Sequence, residues 1–211
     1  MKNKKCKNHE CKKSFKPIRP LQMVCSKKCA YSYAAKKVKD KQVKDFKKWS
    51  KETKENLRTH SELLNLLQVV INKIVRTIDF GQPCISCGKH GKRQAGHYHS
   101  VGSNSALRFH LNNIHIQDYR CNVELSGNII GYNRGLINTY GEEYKIYVEQ
   151  DLLEIQEFKL QKHEIVDLIK KAKEILKGLP EFEVYTSAER LELRARINNM
   201  LGIYKNTNIN L

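Results

Sequence analysis

Nowhere does this chain gather an apolar run approaching the ~20 residues that cross a bilayer, and its lysine-rich start lacks the apolar stretch of a secretory signal. These two absences point to a cytoplasmic protein with no membrane partner. In that compartment paired cysteines signal metal more often than disulfide. The seven cysteines, an odd count, cannot in any case complete a disulfide framework. Acidic residues are scarce, 22 against 39 Lys and Arg, and the shortage lies at one end. Residues 1–60 hold 20 Lys/Arg and 5 Asp/Glu, whereas residues 61–211 hold 19 and 17. A basic arm beside a near-neutral body reads as the footprint of a polyanion, nucleic acid first. Aromatics, at 8%, form no stacking platform, which argues against an RNA-binding protein of the RRM type. A hydrophobic content of 40% supports only a modest core, to which zinc would add a useful staple.

Four segments follow from the pattern. Residues 1–35 are turn-rich and carry Cys6, Cys11, Cys25 and Cys29, spaced as two pairs in a plausible four-thiolate zinc knuckle. Residues 36–80 are first lysine-dominated, with Lys36, Lys37, Lys47 and Lys48 as candidate DNA contacts and Phe46 and Trp49 on one side. They then become an amphipathic helix in which Leu63, Leu66, Leu67, Val70, Ile71, Ile74, Val75 and Ile78 form a stripe, either core or a dimer seam. Residues 81–141 hold the chemistry. Residues 142–211 read as helices, two of them meeting near Gln161. A last helix opens at the capping-box match Thr186 to Glu189, with Leu193, Ile197, Met200 and Leu201 inward and Gly202 as its cap. The Asn-rich end from Asn206 is expected to fray.

Within residues 81–141, Cys84-Ile-Ser-Cys87 followed by glycine has the form of a first zinc knuckle, and Cys121 arrives where its partner is due. The residue three before it is Asp118, so Cys84, Cys87, Asp118 and Cys121 are the expected structural zinc set, with His115 in reserve. The alternative is a knuckle held by packing alone. Between the halves, residues 93–100 read as an extended segment with a return strand near Ile114 to Gln117. Phosphodiester hydrolysis needs a base, a cation and a group that orients the base. His97 fits the base, and Asn113 is placed to fix its imidazole. Asn122 offers an amide oxygen to a hard ion such as Mg2+ or Mn2+. His99, two residues on, would share a strand face with His97 and is a second candidate, catalytic or ligating. Arg93 and Arg108 are candidate phosphate contacts.

At these residues the chain resembles the HNH, or ββα-metal, nucleases and more narrowly the NinG (Rap) recombination endonucleases of lambdoid phages. The likeness lies in Cys25-Ser-x2-Cys29-Ala, Cys84-Ile-Ser-Cys87-Gly, Ala95-Gly-His97-Tyr, Leu107-Arg-Phe109, Asn113-x-His-x-Gln117 and Arg-Cys121-Asn122 followed by Ser126-Gly-Asn128. It extends through about Lys177. Two positions depart from the pattern: Gly96 stands where HNH enzymes often have an acidic metal ligand, and Asp118 replaces a knuckle cysteine. The resemblance implies an endonuclease that cuts Holliday junctions and D-loops during phage or prophage recombination. It also implies branched DNA and other recombination proteins as partners, with a homodimer suiting paired nicks. The expected fold is mainly α, with a small HNH-like zinc-knuckle module between helices and an N-terminal zinc knuckle. The competing expectation is a non-catalytic zinc module that binds branched or single-stranded DNA and recruits other proteins.

Overall fold

The computed structural model describes residues 2–156 and 159–204, so the Asn-rich end lies outside the described residues. The chain divides into two compact units, Met1–Arg58 and Thr59–Leu211.

In the first unit β1 (Lys4–Lys5) pairs antiparallel with β2 (Ser14–Phe15), and the chain then enters the long helix α1 (Lys27–Asn56). A boundary between residues 35 and 36 therefore falls inside one helix. Its run of Lys and Ala, all good helix formers, carries the helix straight out of the cysteine cluster. Lys36, Lys37, Lys47 and Lys48 are all exposed along it, as are Phe46 and Trp49, whose rings sit 5.7 Å apart one turn from each other. Lys37 lies over the Tyr33 ring, and Lys48 approaches Glu52.

The second unit opens with α2 (His60–Ile78), started by a capping box in which Thr59 and Glu62 exchange hydrogen bonds. Its stripe of Leu63, Leu67, Val70, Ile71, Ile74, Val75 and Ile78 is buried against α5 (Lys162–Gly178) and α6 (Ser187–Leu201). That stripe is core, and so does not offer the dimer seam considered from sequence. A hairpin of β3 (Arg93–His97) and β4 (Ile114–Asp118) lays Ala95 and Ile114 on the same core. Helix α3 (Ile129–Tyr140) follows and packs with α4 (Glu142–Glu149) around Leu107, Tyr132, Leu136, Tyr144 and Val148. No helix among the described residues is long and apolar enough to cross a membrane.

Helix α6 differs from the sequence reading in which side it buries. Leu193, Ile197 and Leu201 are inside, but Met200 is 47% exposed, and Arg190, Arg194 and Asn198 are buried instead. The buried arc is centred on polar residues, so hydrophobic pattern alone places it wrongly. Arg194, fully buried, donates to both carboxylate oxygens of Asp79 at 2.9 and 2.8 Å, and to the Leu111 and Ile114 carbonyls. Asp79, just past the end of α2, also accepts the Ile116 amide of β4. Arg190 Nε lies 3.7 Å from Asp79 Oδ1 as well, so a buried carboxylate between two arginines joins α2, α6 and the hairpin.

Candidate functional site

The hairpin register pairs Gly96 with His115 and His97 with Ile114. Alternation along a strand then puts Gln94, Gly96, His115 and Gln117 on one side and Ala95 and His97 on the other. On the first side His115 is buried among tyrosines, its Nδ1 3.0 Å from the Tyr132 hydroxyl and its Nε2 3.1 Å from that of Tyr144. Tyr132 in turn donates to the Gly96 carbonyl. This leaves His115 no part in the cysteine cluster, and its reserve ligand role falls away. Burial holds it well below the ordinary histidine value, so it stays neutral and serves as a fixed hydrogen-bonding post.

His97 is half-buried, and its Nε2 lies 3.0 Å from the Arg108 carbonyl oxygen. A carbonyl only accepts, so Nε2 carries the proton and Nδ1 keeps a lone pair. That Nδ1 has no hydrogen-bond partner among the described residues. Burial lowers the His97 pKa from its ordinary value, with the Arg108 carbonyl working in the opposite direction. The imidazole is therefore neutral near pH 7, with one nitrogen anchored and one open.

Asn113 does not touch that imidazole. Its Oδ1 accepts the His99 amide at 2.8 Å, and its Nδ2 donates to the His99 and Leu107 carbonyls. A fully buried amide is best satisfied by backbone groups whose positions are fixed, and here it ties both ends of the loop between the strands. Its effect on His97 passes through the loop. His99 lies beyond the end of β3, so the shared strand face expected for it does not arise. Its Nε2 meets the Val148 carbonyl at 2.8 Å, leaving Nδ1 as its remaining donor atom.

The candidate phosphate contacts are partly engaged by protein. Arg108 donates to Gln68 and Asn65 of α2 and lies over the Phe109 ring. Arg93 stacks on Phe80 and reaches the Gln82 carbonyl. Asn122 occupies a π-helical turn (Arg120–Glu124) after β4, where its Nδ2 donates to Gln94 Oε1 at 2.9 Å.

Two cysteine clusters are able to hold a metal. Cys6, Cys11, Cys25 and Cys29 bring four sulfurs within 4.8 Å of one another. The Cys11–Cys25 and Cys25–Cys29 separations of 3.5 and 3.6 Å are far too long for a disulfide. They are close to the roughly 3.8 Å between sulfurs bound at about 2.3 Å to one tetrahedral zinc. A hydrogen bond with Cys11 pushes Cys25 up to about 12, while one with Ser26 pulls Cys29 down to about 6. The second cluster unites Cys84, Cys87 and Cys121. Asp118 is not part of it, a departure from the expected four-ligand set. Its Oδ1 caps the turn by accepting the Arg120 amide, two residues on, and its Oδ2 is directed at Gly91. A short carboxylate at a strand end is readily captured by its own turn. Three thiolates leave the fourth tetrahedral position to a small ligand such as water.

Helix α3 lies directly against this knuckle. Side chains at Gly131 and Gly135 would collide with the Ser86 and Ile85 carbonyls, so glycine one turn apart permits the approach. From sequence, Gly127, Gly131, Gly135 and Gly141 read as breaks in one helix or between two short ones, whereas α3 runs unbroken through Gly131 and Gly135; Gln94 and Gln117 had no assigned role. For Gln117 the signal was its place in the Asn113-x-His-x-Gln stretch.

A family model described as Bacteriophage Lambda NinG protein matches residues 1–183. Protein ninG of Escherichia phage lambda is 32% identical over 156 residues, covering 66% of this chain and 76% of that protein. Protein ninG of Salmonella phage P22 is 31% identical over 164 residues, covering 70% and 81%. Protein ninG of Escherichia phage 933W is 39% identical over 89 residues, 41% of this chain and 44% of that protein. No solved structure matches the chain.

Proposed function

The chain belongs to the NinG family, and on that premise we propose that it is a structure-selective, metal-dependent DNA endonuclease of the HNH type that cuts branched recombination intermediates such as Holliday junctions and D-loops. The observation that carries the reading is His97, a neutral imidazole with Nε2 fixed on the Arg108 carbonyl and Nδ1 open. Its setting, an antiparallel hairpin followed by a helix with a cysteine knuckle at its base, supports the same reading.

In this scheme His97 Nδ1 takes a proton from water as the water oxygen bonds to phosphorus. The bond from phosphorus to the 3′-oxygen breaks, and that oxygen acquires a proton from solvent. Asn113 holds the loop that carries His99 and Leu107, keeping the hairpin end from shifting. A hard divalent ion such as Mg2+ or Mn2+, for which the amide oxygen of Asn122 is an available donor, would supply positive charge for the phosphate and the leaving oxygen when bound; His99, the other ligand expected from sequence, has its Nε2 on the Val148 carbonyl and no contact with Asn122 among the described residues. The cysteine clusters, loaded with zinc, hold the two units in shape. The exposed lysines of α1 add salt-dependent affinity for closely spaced phosphates without reading sequence.

Substituting His97→Ala tests the base. Cleavage of a four-way junction is expected to fall by about 10²–10⁴-fold, the usual contribution of a general base, while junction binding changes by less than about twofold. Undiminished cutting would remove His97 from the reaction.

One observation favours the second reading, a non-catalytic zinc module that binds branched or single-stranded DNA and recruits recombination proteins. The groups gathered around Gly96 are amides where a carboxylate would hold a divalent ion more strongly. Such a module would keep its salt-sensitive junction binding and cut nothing under any divalent metal.

A further inference from the structure

Gln117 is 1% exposed, and its orientation is settled by its partners. Its Nε2 donates to Gly127 O at 2.7 Å and lies 2.6 Å from Ser86 Oγ. Because the Gly127 carbonyl can only accept, the amide cannot be reversed. That leaves Oε1 buried with no hydrogen-bond partner among the described residues. An unpartnered buried amide oxygen forfeits its hydration without compensation, so a native structure seldom keeps one without a use.

The direction of that oxygen identifies the use. A Cβ at Gly96 would collide with Gln117 Oε1 and lie 3.0 Å from Asn122 Oδ1. Asn122 is held in turn, its Nδ2 committed to Gln94 Oε1, so that its own oxygen faces the same spot. Two amide oxygens, each fixed through its nitrogen, thus lie within 3.0 Å of one point over the Gly96 Cα. Oxygens bound at about 2.1 Å to one octahedral ion lie about 3 Å apart when adjacent, a spacing this arrangement permits. Glycine at residue 96 makes room for it.

We propose that Gln117 Oε1 and Asn122 Oδ1 form a divalent-cation subsite over Gly96, with Gln117 as its buried anchor. The inference rests on the nuclease reading only for the identity of the ion, Mg2+ or Mn2+. Two neutral donors hold such an ion weakly, so water and phosphate oxygens of the DNA complete its shell. The site therefore fills most readily when the backbone of a substrate is present.

The test uses the full zinc-loaded chain with 15N-labelled Asn and Gln side chains and titrates Mn2+ alone. Paramagnetic broadening is expected first at the side-chain amides of Gln117, Asn122 and Gln94. In Gln117→Met, which keeps the side-chain length and removes the oxygen, Mn2+ affinity is expected to drop at least tenfold with the fold intact by circular dichroism. If that variant does not fold, Asn122→Ala, at a less buried position, is expected to give the same loss. Broadening centred elsewhere, or unchanged Mn2+ affinity in the variant that folds, overturns the subsite and leaves Oε1 to a buried water. The nuclease reading is scored separately by junction cutting. Mn2+ at Gln117 without cutting would sink the nuclease and keep the subsite; cutting with Mn2+ elsewhere would do the reverse.

Discussion

Histidine does three different jobs in this protein, and its surroundings decide which. His97 keeps one nitrogen open, His115 has both engaged, and His110 has both buried with no hydrogen-bond partner among the described residues, its ring packed edge-on against Tyr204. Burial alone drives His110 down to about 3, and burial also lowers His97 and His115. The unfolded chain titrates these groups near 6.5, so below that pH it binds more protons than the native state. Stability is therefore complete above pH 6.5 and declines as the pH falls toward 3. For His110 alone the loss between pH 6.5 and 5 is about 2 kcal/mol. In His110→Leu, urea unfolding at pH 7 should show little or no destabilisation, and the drop on going to pH 5 should shrink by about that amount. An equal drop in both proteins would mean that His110 is protonated in the native state. Little of this was legible in the sequence, where His110 had no assigned role: a histidine's partners come from distant turns. His97 was legible because the Gly-His-x-His step sits between two knuckle halves. The partner of Asn113 was not, since proximity in sequence does not reveal whether an amide meets a ring or a backbone.

Elements were legible where a period or a cap announces them. The α2 stripe, the strands near 93 and 114 and the Thr186 capping box all lie where pattern places them. What pattern could not give is the polar seam that locks them together. The Asp79–Arg194 pair binds the end of α2 to α6 and to the hairpin, across 115 residues of chain. Arg194→Met should cost about 3–5 kcal/mol in urea denaturation, because it leaves the buried Asp79 carboxylate with only the Ile116 amide and the 3.7 Å approach of Arg190. The double variant Asp79→Leu with Arg194→Met should recover part of that loss, and a strictly additive double would contradict the pairing. At the knuckle, Gly135→Val puts a branched side chain into the Ile85 carbonyl. It is expected to push α3 away from Cys84 and Cys87 and, on the proposed loading of both clusters with zinc, to lower the content from two ions per chain toward one, measured by metal analysis. Retention of both ions would show that α3 does not brace that cluster.

Across the whole molecule, charge and chemistry are divided between two units. The first carries the exposed lysine helix and four clustered cysteines; the second carries the hairpin, the three-cysteine knuckle and His97. Composition made the charge division legible, since the basic excess ends near residue 60. The site's donor set was not legible, because it depends on which amide oxygens are left over once the backbone has been satisfied. Whether these parts make an enzyme is decided most directly by one experiment. Purified zinc-loaded protein is incubated with a labelled four-way junction and a linear duplex of matched sequence, in Mg2+, in Mn2+ and in EDTA. The account predicts divalent-dependent cutting of the junction well above the duplex and none in EDTA. Tight, salt-sensitive junction binding with no cutting in either metal would contradict it and assign the chain to recruitment.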